Sequence, residues 1–436
     1  MPNTLSTAAW LLVLCLADTA MTTAELAASG PGVAPPGNRC LSDLNCSLNG
    51  VCNTDTGVCA CDRPWRGVNC AKLGMLPAKP AAGYGQVTGP MRVSSWGGNV
   101  LQGRGIDNGT WHLLVAEMVG ERCGLHVWGN QSSVVHATAT DPQGPYTRQG
   151  LAVAHQAHNP GTVFVDGHYY MFHIGSGCNN YPAKDCNETW NGTWPYHGLA
   201  MGKTTALSTA SALTRGPRDL LAPFKCTGSV LHRSRTPAGP WTPVVLAAGA
   251  NLRACNNPSP YVHPNGTLFV LCKWFFQTAP RPEGPYTDPI PVSVGGPNEL
   301  NISRNWEDPF LWTDRRGNFH ALSHTWTAEL YPANSISGHA YSTDGHVWFS
   351  SPIEPYNATV AFSDSTSHYF ATMERPKLVF GGHDGLTPLY ISNGVSPVPA
   401  PCTACGHCSH CKQQWSPPGT GPDLDWTFTL VRPLDV

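Results

Sequence analysis

Charge is scarce in this 436-residue chain: only 12% of residues are Asp, Glu, Lys or Arg, and 26 basic against 28 acidic residues nearly cancel. No basic cluster occurs, which excludes nucleic acid as the expected partner. Long helical patterns are missing, and so is any apolar run beyond the N-terminus long enough to span a bilayer. Glycine (45), proline (40) and tryptophan (15) are plentiful instead, and 41% of residues are hydrophobic. A chain with so many turn residues, enough apolar residues for a core and no helical periodicity is expected to be all-β.

The N-terminus carries a short apolar run, Ala8 to Ala17, followed by small residues. It is too short for a membrane span and has the form of a signal-peptide core, with cleavage near Ala20 or Ala24. Residues 1–24 are therefore expected to be a signal peptide and 25–37 a Ser/Gly/Pro-rich linker. Sixteen cysteines follow Cys15, an even number as pairing requires. Asn-x-Ser/Thr sequons recur at Asn45, Asn108, Asn130, Asn187, Asn191, Asn265, Asn301 and Asn357. Together these features predict a secreted, soluble, glycosylated protein with no membrane span.

Six cysteines crowd into one stretch: Cys40, Cys46, Cys52, Cys59, Cys61 and Cys70, the last within Cys61-Asp62-Arg63-Pro64-Trp65-Arg66-Gly67-Val68-Asn69-Cys70. So short a segment cannot build an adequate apolar core, so cross-links must hold it. Spacing alone permits fifteen pairings. The pattern resembles an EGF-like domain over 38–72, and that resemblance implies Cys40–Cys52, Cys46–Cys59 and Cys61–Cys70. Pro36-Gly37-Asn38-Arg39 lacks the acidic cluster of calcium-binding EGF modules, so no calcium is expected there. Such modules are spacers or adhesion elements, which leaves a protein partner open.

Beyond an Ala/Pro/Gly-rich linker the chain repeats itself. His158-Asn159-Pro160, Asn256-Asn257-Pro258, Glu307-Asp308-Pro309 and Glu374-Arg375-Pro376 each open a strand that turns back through a Gly-containing turn, and Trp96-Gly97-Gly98-Asn99 stands in the same place earlier. Asp166-Gly167 and Asn265-Gly266 are hairpin signals. Gly144-Pro145-Tyr146-Thr147, Gly239-Pro240-Trp241-Thr242 and Gly284-Pro285-Tyr286-Thr287 close three of the units. Five units of four strands predict a five-bladed β-propeller over 76–436, with a Cys-rich insertion at 397–423. The run Cys402–Cys411 invites a metal reading, but an exported chain favours disulfides. Cys178–Cys186 and Cys255–Cys272 are candidate pairs within the propeller.

The blade openings resemble the five-bladed glycoside hydrolases of families 43 and 32, the arabinanase and invertase relatives. In that group a blade-one Asp is base or nucleophile, a blade-three Asp-Pro tunes the site, and a blade-four Glu two residues before Pro is the general acid. Trp306-Glu307-Asp308-Pro309 matches the last pattern, which implies an acid role for Glu307. Blade three has Asn257-Pro258 instead, and blade one has no carboxylate. Glycoside hydrolysis needs two carboxyl groups, and Asn cannot replace one as a proton acceptor. Glu374 holds the same offset before proline in blade five and is the candidate base. Asp308, one residue from Glu307, is expected to point to the opposite face of a regular strand. Trp96, Asn99, His158, Asn159, Asn257, Trp306, Asp308 and Arg375 are candidate sugar-binding residues, supplying flat apolar faces and hydroxyl partners. No cofactor or metal is expected. Two functions stay open: a glycosidase acting on a cell-wall or matrix polysaccharide, and a non-catalytic carbohydrate-binding or adhesion protein that has lost the catalytic aspartates.

Overall fold

The computed structural model describes residues 39–85, 94–104, 107–119, 123–125, 128–154, 156–175, 230–247, 252, 255–273, 275–294, 306–325, 336–370, 372–381, 385–396 and 427–436. The expected signal segment and linker, the Cys178–Cys186 pair, the Cys-rich run at 397–423 and the sequons at Asn187, Asn191 and Asn301 lie outside them.

The expectation of an all-β, five-bladed propeller holds. Blade one is Ser95–Gln102, Trp111–Met118, Ser132–Ala139 and Thr147–Val153, paired in chain order. Blade two is His158–Val165, His168–Ile174, Leu231–Ser234 and Thr242–Pro243. Blade three is Ser259–Val262, Leu268–Leu271, Phe275–Ala279 and Ile290–Pro291. Blade four is Trp306–Thr313, Phe319–Thr325, Ser337–Ser342 and Val347–Ser350, with Ser293–Val294 added in parallel at its outer edge. Blade five has three long strands, Thr372–Gly381, Thr387–Ser396 and Phe428–Pro433.

Local sequence explains the meander. Asp166 and Gly167 both have positive φ, 47° and 76°, between the paired residues Val165 and His168. That is the two-residue turn whose twist suits antiparallel strands. The three Gly-Pro-aromatic-Thr phrases share one structure. The aromatic donates to a carbonyl four residues earlier: Tyr146 Oη to Pro142 O at 2.8 Å, Trp241 Nε1 to Pro237 O at 3.1 Å, Tyr286 Oη to Pro282 O at 2.5 Å. Neighbouring blades cover both faces of a blade's inner strands, which therefore read as continuous apolar runs; Leu113, Leu114, Val115 and Ala116 are all fully buried.

The ring closes through the segment that precedes blade one. Tyr84 exchanges both backbone hydrogen bonds with Thr429 on the last strand, at 2.8 and 3.0 Å. Ser95 Oγ and Thr429 Oγ1 share another at 3.0 Å. Blade five thus takes a short bridge from the chain's early part as its outer neighbour, and the edge that would otherwise stand open is covered.

Residues 40–73 form the disulfide-rich region, held by Cys40–Cys52, Cys46–Cys59 and Cys61–Cys70. It is seated on blade four. Trp65 lies 4.8 Å, centroid to centroid, from the His339 ring, and Tyr341 Oη donates to Leu44 O at 3.1 Å. Arg316 reaches from the blade-four turn to Asp62 and to Leu48 O, at 2.5 and 2.7 Å. Cys40, Cys46, Trp65, Cys70 and Leu73 belong to one core cluster with Trp312, Leu322 and Met373. In blade three, Cys255–Cys272 ties the chain before the first strand to the end of the second.

Candidate active site

All five blades begin with the same backbone irregularity. Gly97, Asn159, Asn257, Asp308 and Arg375 occupy equivalent positions and all have left-handed φ, between 51° and 71°. The strand register slips there: between Ser95 and Gly98, between Glu307 and Phe310, and between Glu374 and Lys377. Asn and Asp visit this conformation at little cost because their short polar side chains bond locally; arginine does not. A bulge re-aims side chains, and here Asn159, Asn257, Asp308 and Arg375 meet across blades.

This corrects the expectation for Asp308. Alternation along a regular strand would separate it from Glu307, but the bulge breaks the alternation and both carboxylates meet His324. Asp308 Oδ2 accepts from His324 Nδ1 at 2.9 Å, and Glu307 Oε2 lies 3.8 Å from His324 Nε2. Glu374 joins them, its Oε1 3.9 Å from the same Nε2. Two oxygens this close to one nitrogen are separated by at most about 8 Å, below the upper end of the spacing that glycoside hydrolysis uses between its carboxyl groups.

Around this triad the axial side chains bond across blades. Asn159 Nδ2 donates to Asn257 Oδ1 and to Asp308 Oδ1, both at 3.2 Å. Lys377 Nζ donates to Asn159 Oδ1 at 3.1 Å. Lys273 Nζ donates to Glu307 Oε1 at 3.0 Å, and Arg375 Nη1 lies 3.5 Å from Asp308 Oδ1. Burial lowers Lys377 to about 8, with Asp308 opposing the shift and Arg375 adding to it. Burial also holds His158 well below the usual imidazole range, with Arg375 adding to the effect and Asp308 opposing it. His158 is neutral at physiological pH, shares a 2.5 Å hydrogen bond with Ser132 Oγ and stacks on Trp128.

Glu307, Asp308 and His324 each bring one oxygen or nitrogen within 4.8 Å of the others. Lys273 and Arg375 already stand against two of these carboxylates, so the chain supplies its own cations and no metal is assigned.

The blade-one position explains its missing carboxylate. A Cβ on Gly97 would lie 2.8 Å from Cβ and 3.1 Å from Cδ of Arg375. The blade-five arginine lies over the place where blade one has only glycine.

Three other candidate residues are engaged within the fold. Trp96 is 2% exposed and packs with Met118, Cys123 and Leu125; Trp306 is 5% exposed and packs with Leu271 and Leu311. Neither ring presents a face to solvent. Asn99 Oδ1 accepts from the Thr162 backbone N–H at 2.8 Å and joins blade one to blade two. Ser259 Oγ does the same for Leu311 N between blades three and four.

Sequence reasoning passed over His324 as a site residue, and Lys273 and Lys377 altogether. The register hid His324: counted back from the Thr313–Phe319 pair, an unbroken register sets Glu307 opposite Thr325, and only the bulge moves it to His324. Lys273 has no signal either, because it arrives from another blade.

No protein-family model matches the chain, and no curated protein matches it by sequence. Solved structures with a similar fold include a thermostable family-43 glycoside hydrolase, 11% identical, with a TM-score of 0.44 over 83% of this chain and 93% of that one. An endo-arabinase from Bacteroides thetaiotaomicron is 13% identical, with a TM-score of 0.42 over 79% and 95%. An α-L-arabinofuranosidase from Podospora anserina is 8% identical, with a TM-score of 0.48 over 84% and 98%. The strand order given above, rather than these similarities, defines the propeller. Among the described residues no helix is long and apolar enough to cross a membrane.

Proposed function

We propose that this is a secreted, EGF-module-bearing, carbohydrate-active propeller that hydrolyses a glycosidic bond in a poly- or oligosaccharide, with Glu307 as general acid and Glu374 as base. The observation that supports it is the convergence of the two carboxyl groups on His324 Nε2, at 3.8 and 3.9 Å. Lys273 donates to Glu307 Oε1, which leaves Oε2, the oxygen facing His324 Nε2, to carry the proton of the acid. That proton passes to the leaving glycosidic oxygen while Glu374 takes one from the attacking water. The purified full chain is expected to release sugars from arabinan, xylan or fructan. Glu307→Gln and Glu374→Gln should each lower kcat by roughly a hundredfold or more. Turnover that survives both substitutions refutes this assignment.

A second reading, non-catalytic carbohydrate binding, draws on the packing of Arg375 over Gly97, where the resemblance implies a carboxylate. Glycan-array binding without release of reducing ends would favour it.

A further inference from the structure

His324 stands between the two carboxyl groups of the proposed reaction and is oriented by a third. Because Nδ1–H donates to Asp308 Oδ2 at 2.9 Å, Nε2 is the nitrogen turned toward the site. Its distances to Glu307 Oε2 and Glu374 Oε1, 3.8 and 3.9 Å, are nearly equal. Both oxygens lie just beyond hydrogen-bond range of that nitrogen.

We infer that His324 is a positioning residue that couples the protonation of Glu307 to that of Glu374, its Nε2 passing a proton from one carboxyl to the other. In turnover this rests on the hydrolase reading above. Each hydrolysis breaks the glycosidic C–O bond and forms a C–O bond from water. It leaves Glu307 without its proton and Glu374 with one too many. Nε2 accepts the proton of Glu374 and becomes part of an imidazolium whose Nδ1–H stays on Asp308. It then releases the proton to Glu307 Oε2, and every group returns to its starting state. The need for such a path follows from burial: Glu307 is 8%, Glu374 6% and His324 2% exposed, so bulk water has narrow access to the pair.

The surroundings fit a transient imidazolium. Asp308 faces its Nδ1 and the two glutamates face its Nε2. Lys273 stands beyond Glu307, Arg375 beside Asp308, and Lys377 behind Asn159. His158, the other imidazole interacting with Asp308, is held neutral by burial.

The test uses His324→Asn in the full chain. Its amide can keep a donor toward Asp308 but has nothing in the place of Nε2. If His324 carries the proton, kcat falls roughly tenfold to a hundredfold with KM little changed. The pH profile of kcat then moves, and added imidazole restores part of the rate, which it would not do for a merely structural residue. An unchanged kcat and pH profile, with Glu307→Gln and Glu374→Gln inactive, overturns the coupling and leaves the hydrolase reading standing. If the wild-type chain turns over no glycan, that reading falls, and the coupling is decided by NMR on histidine-labelled protein, with the His324 signal assigned by its loss in His324→Asn. Its titration midpoint should move in both Glu307→Gln and Glu374→Gln; a midpoint unmoved in both overturns the inference.

Discussion

Arg375 carries the heaviest conformational cost in the site. Its φ of 56° is one that a residue without a short polar side chain rarely adopts, and such strain persists where surrounding packing over-determines it. Gly97 is part of that packing, since only a residue without a Cβ leaves room for the arginine stem. Gly97→Ala should therefore destabilise the protein by about 1–3 kcal/mol, from its own positive φ of 71° and from the displaced Arg375. Denaturant unfolding would measure this, and a midpoint equal to wild type would refute it. The sequons also sort at this scale. Asn108, Asn265 and Asn357 are exposed, whereas Asn45 is buried, with its side-chain oxygen accepting from the Leu41 and Ser42 backbone amides. A sequon is visible in sequence; its burial is not.

Between strands, three blades use the same device. His112 and His136, His173 and His232, and His320 and His339 share hydrogen bonds of 2.9, 2.9 and 3.1 Å between the second and third strands of blades one, two and four. Burial pushes His136 and His173 down to about 4 and His232 to about 3. It lowers His112 and His320 as well, and His339 far more. Folded values below the unfolded value of about 6.5 mean that the unfolded chain binds more protons as pH falls. Their stability contribution is whole above about 6.5 and is lost as pH falls, through about 4 for His136 and His173 and about 3 for His232. The melting temperature should drop steeply between pH 6.5 and pH 4, and less steeply in His136→Gln; parallel pH curves for the two proteins would refute this. The chain's eighteen histidines hid these pairs, because pairing depends on diagonal neighbours across two strands. Hairpin turns such as Asp166-Gly167 were legible, because both torsions are decided by adjacent residues.

Across the whole molecule, the disulfide-rich region is part of the propeller's core and not a free spacer. Trp65 packs against His339, His339 bonds to His320, and Asp314 Oδ2 lies 3.6 Å from His320 Nε2. Arg316 connects Asp314 back to Asp62 of the module. Trp65→Ala should cost about 3–5 kcal/mol, as for other buried large aromatics, and it should lower the stability of blade four together with the module. One cooperative unfolding transition that moves as a whole is expected in calorimetry. A small early transition split from an unmoved main one would mean that the module folds separately.

The amino-acid sequence by itself determined the propeller and the cysteine-rich region. Both are written in short-range signals: proline-led strands, Asp-Gly and Gly-Pro turns, and cysteines close along the chain. Tertiary structure alone decided what the axial site contains. Asn159, Asn257, Lys273, His324, Asp308 and Glu374 come from four blades, and their distances depend on ring closure. The bulge at the start of blade four reverses the facing that strand alternation implies, which places Asp308 beside Glu307. The same closure brings Arg375 over Gly97, where pattern alone had shown only a missing acid.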